Sequence, residues 1–178
     1  YSPGAAALGS LLDKTVHYQA GVWNAIDGGS TGVLRRGTSM AWAGNTWWEP
    51  FGPFGLGYSD MECHDEPVVR FGTSGVYART YALPIQGNNP EDTVVRLSDG
   101  TPIGLTGALG PGTTLDQFRY KLATVDAAWK YRGVGLSFEY YFRLLDGFVG
   151  DGAFDRSSTF DQGRSEEHTS ELQSPCNL

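Results

Sequence analysis

Residues 119–146 decide the fold, and they read RYKLATVDAAWKYRGVGLSFEYYFRLLD. Both halves place apolar side chains at every second position, which is the period of a β-strand. Between the halves stands only Arg132-Gly133, so the stretch predicts a tight antiparallel hairpin. One face of that hairpin is apolar, and it carries Ala123, Val125, Ala127, Trp129, Val134, Leu136, Phe138, Tyr140, Phe142 and Leu144.

Two kinds of protein use such a hairpin. In a transmembrane β-barrel the apolar side chains meet lipid and the alternate ones line a water-filled interior. In a soluble β-sandwich the apolar side chains pack into a core. The hairpin alone is compatible with both kinds of protein, and the rest of the chain must distinguish between them.

Composition excludes a helical membrane protein. The chain has 178 residues with 25 glycines and a formal net charge of −7. No apolar run approaches the roughly 20 residues that a spanning helix needs. Composition does not exclude a β-barrel membrane protein, because each strand of a barrel turns only half of its residues towards lipid.

Three further strands are predicted before the hairpin, at Thr15–Ile26, Thr38–Glu49 and Pro67–Arg79. Thr80–Phe118 shows no sustained period, apart from a short candidate strand at Thr93–Leu97. A structureless stretch of this length is unusual in a compact soluble domain, whereas outer-membrane barrels have long extracellular loops. The sequence therefore predicts an all-β, antiparallel up-and-down sheet, a partial transmembrane barrel of about five to six strands.

Strict alternation assigns a side to each connection. If Arg132-Gly133 is periplasmic, then the Pro50–Glu66 connector is periplasmic too, and the Asp27–Gly37 and Thr80–Phe118 loops are extracellular. The chain is expected to leave the sheet after Asp146. The 17-residue periplasmic connector is longer than barrels usually have.

The last fifteen residues, RSEEHTSELQSPCNL, differ from the rest in pattern. They resemble a translated sequencing adapter, which predicts a domain at residues 1–163 followed by a non-native, disordered tail at 164–178. Cys176 then belongs to the tail, and Cys63 is left without an internal disulfide partner. One Cys beside one His makes a poor metal site, so none is expected.

The residues also resemble the phosphate-selective porin O and P family. The similarity lies in NTWWEPFGPFGLGYSDMECHDEPVVRFGTSGVYAR, in KLATVDAAWKYRGVGLSFEYYFRLLDGF and in FDQG. It implies a 16-stranded channel in the outer membrane of a Gram-negative bacterium, assembled as a homotrimer, of which this chain is an interior fragment. It also implies passage of small hydrophilic solutes, including anions such as phosphate. Asn45 stands where relatives often have Arg, which weakens the anion expectation.

For such a channel, the strand parity predicts the pore lining. The inward residues are expected to be Asn45, Arg70, Asp126, Lys130, Glu139, Tyr141 and Arg143. Three cations and two anions do not make a strong anion filter. Glu139 is interpreted as a wall charge that faces Arg143, four residues along the same strand.

No enzyme is predicted, because Glu139 lacks a catalytic partner in the sequence and no phosphate-binding glycine loop occurs. No cofactor and no nucleic-acid partner are expected. The main hypothesis is a passive diffusion channel in contact with outer-membrane lipid. The alternative is a soluble or surface β-sandwich that binds glycans through Trp47 and Trp48. An enzyme built on a barrel is a third hypothesis, and it requires a second buried carboxylate near Glu139.

Overall fold

The structure is a computed structural model that describes residues 4–24, 40–57, 59–81 and 95–169. It contains seven β-strands and, within these residues, no helix. None of the described segments could therefore cross a membrane as an apolar helix. The strands are β1 (Gly4–Leu11), β2 (Val16–Asn24), β3 (Met40–Trp48), β4 (Val68–Tyr81), β5 (Thr114–Tyr131), β6 (Val134–Asp151) and β7 (Ser158–Thr169).

The seven strands form one antiparallel sheet in chain order, β1 to β7, so each strand pairs with its sequence neighbour. This confirms the predicted all-β, up-and-down fold. Within the described residues β1 and β7 each pair on one side only, and the sheet is not closed into a barrel.

The connections differ between the two ends of the sheet. At one end lie the Leu12–Thr15 turn, the β3–β4 connector and the Arg132-Gly133 turn, and backbone hydrogen bonds join these segments to their neighbours. The connector touches the turn directly, since Arg132 N donates to His64 O at 3.0 Å. We call this the turn end. It includes the two connections, Pro50–Glu66 and Arg132-Gly133, that alternation assigns to one side.

The Arg132-Gly133 turn has positive φ at both residues, 47° and 84°. Two successive residues with positive φ are the signature of a type I′ hairpin turn, whose twist matches that of the flanking strands. It sets the β5–β6 register, in which Tyr131 faces Val134 and Asp126 faces Glu139.

The register gives the sheet two different faces. The apolar face carries the ten residues predicted for it, together with those aligned to them on the other strands, such as Tyr18, Trp42, Trp48, Phe71 and Tyr77. Many of these side chains are exposed, among them Trp42, which is 57% accessible. The opposite face, the polar face, holds the strand residues that are buried, including Ala41, Ala78, Thr124, Ala128 and Leu145. The sheet therefore buries its polar face more than its apolar face.

Two clusters cover the ends of the polar face. At the far end from the turns, the segment 95–113 packs Leu97, Ile103 and Leu109 against Phe118 and Leu145. At the turn end, Phe54 of the connector packs on Val68 and Ala128. The long connector is thus a folded cover for the sheet, which accounts for its length.

The first six strands differ from those predicted in three main respects. β1 was not anticipated, because its alanines and glycine give little alternation, yet it pairs with β2 over its full length. β5 begins at Thr114 rather than Arg119. β6 continues to Asp151 rather than stopping at Asp146, because register shifts at Gln117 and a positive φ of 62° at Gly147 let pairing continue past the irregular sequence.

The predicted short strand Thr93–Leu97 is replaced, where it is described, by an isolated bridge between Arg96 and Pro102. Residues 93 and 94, and the Asp27–Gly37 loop, lie outside the described residues.

β7 crosses the predicted start of the disordered tail. It pairs with β6 from Ser158 to Thr169, so Arg164 to Thr169 are strand residues. Pairing with an edge strand uses backbone groups and so places weak demands on side-chain sequence. Residues 170–178 lie outside the described residues.

Candidate functional site

A row of polar side chains crosses the polar face at the middle of the strands. Consecutive register pairs place Gln19 beside Asn45, Asn45 beside Ser74, Ser74 beside Thr124 and Thr124 beside Tyr141. Ser74 Oγ and Thr124 Oγ1 are hydrogen-bonded at 2.7 Å. Asn45 and Tyr141, both predicted to line a pore, are exposed in this row. The row offers neutral hydrogen-bonding groups to water or to a hydroxylated solute.

One row nearer the turn end, Asp126 and Glu139 face each other across β5 and β6. Two carboxylates in directly opposite positions repel each other, which disfavours this pair for stability alone. Within the described residues neither carboxylate has an ion-pair partner. Asp126 also lies over Gly72, where any side chain would collide with its carboxylate. These two residues supply accessible negative charge to the polar face.

Arg143 is engaged by a residue that the sequence did not suggest. Its Nη2 and Nε donate to Asp161 Oδ2 on β7, at 2.8 and 3.1 Å. The interpretation that Glu139 faces Arg143 is wrong, because four residues along a strand span about 13 Å. A spacing of four brings side chains together on a helix, not on a strand.

Lys130 lies on the predicted face but is only 1% exposed. Its ammonium donates to the carbonyl oxygens of Phe54 and Leu56, at 3.1 and 3.0 Å, and sits 4.4 Å from the centre of the Phe54 ring. The connector therefore covers this cation. The ammonium holds the connector against the sheet, and its charge does not reach the exposed part of the polar face.

Arg70 is the third predicted cation of the lining. Its guanidinium carbon lies 4.8 Å from the centre of the same Phe54 ring, in a cation–π arrangement. All three cations of the polar face are thus held by protein groups, whereas Asp126 and Glu139 are not. The exposed part of this face is neutral or negative.

Asp60 anchors the connector to the tight turn. Its buried Oδ2 accepts hydrogen bonds from Gly133 N at 2.9 Å and His64 N at 3.0 Å, and its Oδ1 contacts His64 Nδ1 at 2.5 Å. Burial of the carboxyl raises the pKa of Asp60. The hydrogen bond from the Gly133 N–H, those from His64 and the charge of His64 outweigh that effect, so the pKa lies below its ordinary value.

Two aromatic residues that were grouped as one surface lie on opposite faces. Trp47 is on the polar face, where it stacks on His17 with ring centres 4.9 Å apart and planes 10° apart. Trp48 is on the apolar face, 6.1 Å from the ring of Phe71. Neighbouring strand residues point to opposite sides, so this pair cannot form a single glycan-stacking platform.

The apolar face has aromatic residues near both ends. The Trp42–Tyr77 pair aligns with Lys121, and Trp129 lies eight residues further along β5. Eight residues span about 27 Å along a strand and about 20 Å in height at a tilt of roughly 40°. That height is close to the apolar band of an outer-membrane barrel, about 25 Å. Thr73, in the middle of this face, donates its hydroxyl to Thr124 O at 2.9 Å, so this hydroxyl is satisfied within the sheet.

Cys63 is disulfide-bonded rather than a free thiol, which corrects the expectation drawn from the tail. The other cysteine, Cys176, lies outside the described residues. No group of three or more potential metal ligands occurs among the residues that were placed.

Sequence reasoning missed Asp161, His17 and Asp60 as functional neighbours. Asp161 lies beyond Asp146, where the sequence predicts no strand, and its pairing with Arg143 depends on the β6–β7 register. Asp60 lies in the Pro50–Glu66 connector, where no local pattern marks it. Alternation identifies the face of a residue, but only the register tells which residues of different strands are neighbours.

Comparison with known proteins found no significant match: neither a family model, nor a curated protein, nor a solved structure corresponds to this chain.

Proposed function

We propose that the chain forms part of the wall of an outer-membrane porin, a water-filled channel for passive diffusion of small hydrophilic solutes. One observation carries this proposal. The large apolar side chains of the sheet are exposed on one face, while the opposite face presents polar groups at mid-height. A soluble protein rarely leaves so broad an apolar surface uncovered, whereas lipid would cover it in a membrane.

The solute class follows from the accessible groups of the polar face. Neutral polar side chains and two carboxylates are accessible on this face, whereas its three cations are held by other protein groups. This wall therefore favours hydrophilic solutes in general and adds no positive ring for phosphate. Preference for anions such as phosphate, and assembly as a trimer, rest on the family resemblance alone.

The proposal includes no catalytic step. Asp126 provides a second carboxylate beside Glu139, as an enzyme on this scaffold would need. An acid–base pair requires one carboxyl in a dry pocket to keep it protonated. Glu139 is exposed and Asp126 is partly exposed, so the pair lacks that environment.

Extraction from membranes is the first test. We expect the chain to sediment with outer membranes and to need detergent for release. A monodisperse product without detergent would reject the channel and favour the β-sandwich hypothesis.

Conductance is the second test. The protein with its sheet completed should give stable steps in planar bilayers at a potential of either sign. Membrane insertion without any conductance would remove the channel function while leaving the membrane location intact.

A further inference from the structure

The apolar face contains a groove near the end far from the turns. Its cavity measures about 730 Å³ and opens to the surface. Small residues line it, including Ala20, Gly44 and Gly75. The rings of Trp42 and Tyr77 line it as well. Within the bilayer assignment proposed above, which this inference rests on, the groove faces lipid.

Positive charge is concentrated directly beyond the groove, on the same face. Lys121 lines the groove, and Arg119 and Arg79 occupy the next row of β5 and β4. Asp146 is the only carboxylate in these two rows among the described residues. It is shared, because Lys121 Nζ and Arg119 Nε each lie 2.7 Å from one of its oxygens.

Arg79 and Arg119 are a like-charge pair. They stand directly opposite each other across β4 and β5, an arrangement that costs stability when no anion lies between them. Arg79 is exposed, and within the described residues no carboxylate pairs with it. Three cations against one carboxylate leave a net charge of two, which complements a phosphate.

We propose that this surface binds an anionic lipid that carries a phosphate. The phosphate would lie at Arg79, Arg119 and Lys121, and an acyl chain would lie in the groove. Trp42 and Tyr77 lie at the boundary between the two parts, where amphipathic rings are favoured in membranes. The tight turns lie at the opposite end, so the bound lipid belongs to the outer leaflet in the orientation proposed.

The test uses the full chain in vesicles that contain lipids with brominated acyl chains, which quench tryptophan on contact. The signal of Trp42 is the difference between the chain and its Trp42→Phe variant. We expect brominated phosphatidylglycerol to quench Trp42 at about fivefold lower mole fraction than brominated phosphatidylcholine, which is the effect expected of one exposed cation, here Arg79. Arg79→Gln should remove most of that difference.

Arg132→Asn is the matched control. It removes the same charge at the opposite end of the sheet, and asparagine tolerates the positive φ of this position. It should leave the lipid preference at Trp42 unchanged. Equal loss in Arg79→Gln and Arg132→Asn would overturn the proposal, because total charge and not this site would then set the preference.

Three other outcomes would also overturn it. Equal quenching by both lipids would mean membrane insertion without a lipid site. Loss of the preference in millimolar inorganic phosphate would mean an anion site that makes no use of the acyl chain. Quenching of other tryptophans but not of Trp42 would mean that a second copy of the chain covers the groove. Quenching of no tryptophan at all would instead contradict the membrane location itself.

Discussion

At the scale of single residues, Asp60 joins two segments that are far apart in sequence, the β3–β4 connector and the β5–β6 turn. Its carboxylate holds the connector at His64 and the β5–β6 turn at Gly133. The turn also donates a backbone hydrogen bond to the connector, from Arg132 N to His64 O. Because Asp60 is buried, any group that loses its hydrogen bond here cannot be satisfied by bulk water.

We expect Asp60→Ala to lower the free energy of unfolding by about 2–3 kcal/mol, since it leaves the partly buried N–H donors of His64 and Gly133 unpaired. Unfolding in urea, followed by tryptophan fluorescence in detergent micelles, measures this change. Asp65→Ala is the control, because Asp65 is an exposed acid of the same connector. Equal effects of the two variants would contradict the anchoring role.

The same carboxylate predicts a pH dependence. The folded-state pKa of Asp60 is lowered, so its contribution to stability is present above its unfolded pKa of about 3.9. That contribution is lost as pH falls through the lower, folded-state value. The difference in unfolding free energy between the chain and Asp60→Ala should therefore shrink as the pH falls below about 4. A difference that grows on acidification would refute this assignment.

Asp161 decides whether Arg143 acts as a free cation. With Asp161→Asn, the charge of Arg143 is no longer balanced on the polar face. A unit charge about 7 Å from a passing ion lowers the energy of an anion and raises that of a cation by about 0.6 kcal/mol each in water, so anion permeability relative to cations should rise about sevenfold. Reversal potentials of the completed channel in a salt gradient measure the ratio.

Lys130→Met provides the contrast for that experiment. It removes a cation of the same face, but one whose ammonium is covered by the connector. Ion selectivity should stay unchanged while stability falls by about 1–3 kcal/mol, since two carbonyls lose their donor. A large selectivity shift in this variant would place Lys130 in the open pore.

At the scale of elements, the β5–β6 hairpin is longer than its alternation suggests because of one irregularity. Gly147 has a φ of 62°, and a Cβ built there would lie 2.5 Å from Arg119 Nε. This irregularity is a β-bulge, and pairing between β5 and β6 continues beyond it as far as Asp151.

We expect Gly147→Ala to destabilise the protein by about 1–3 kcal/mol, because it adds backbone strain and displaces Arg119 from Asp146. Gly75→Ala is the control. A Cβ at Gly75 meets its nearest atom at 3.7 Å, an ordinary contact, on a backbone of ordinary conformation. Urea unfolding of both variants under the same conditions compares them, and equal destabilisation would refute the role of the bulge.

The 95–113 segment shows why loops were the least predictable elements. It has no period in sequence, yet Ile103 is fully buried and Leu109 is 2% exposed. They pack on Phe118 and Leu145 of the polar face. Isolated apolar residues between glycines and prolines do not reveal which surface they cover, since that depends on how the chain returns to the sheet.

At the scale of the whole molecule, the open edges of the sheet matter most. In lipid, every backbone donor and acceptor must be paired, and the smallest bacterial barrels have eight strands. The membrane location proposed above therefore requires further strands on the free sides of β1 and β7.

We expect the 178-residue chain alone to give no stable conductance in planar bilayers, and the protein with additional strands to give it. Both are measured under the same salt and voltage, with membrane insertion of each checked by protease protection. Stable unitary steps from the chain alone would mean that its edges pair with each other or with further copies.

The sequence by itself determined that this is an all-β, up-and-down sheet, which residues of the 119–146 hairpin share its apolar face, and where the tightest turn lies. It could do so because these features depend on local alternation and on turn chemistry. Tertiary structure decided which charges remain available. Lys130 is covered by the connector, Arg143 is paired with Asp161, and Asp126 meets Glu139, because the register between strands brings together residues that no local pattern relates.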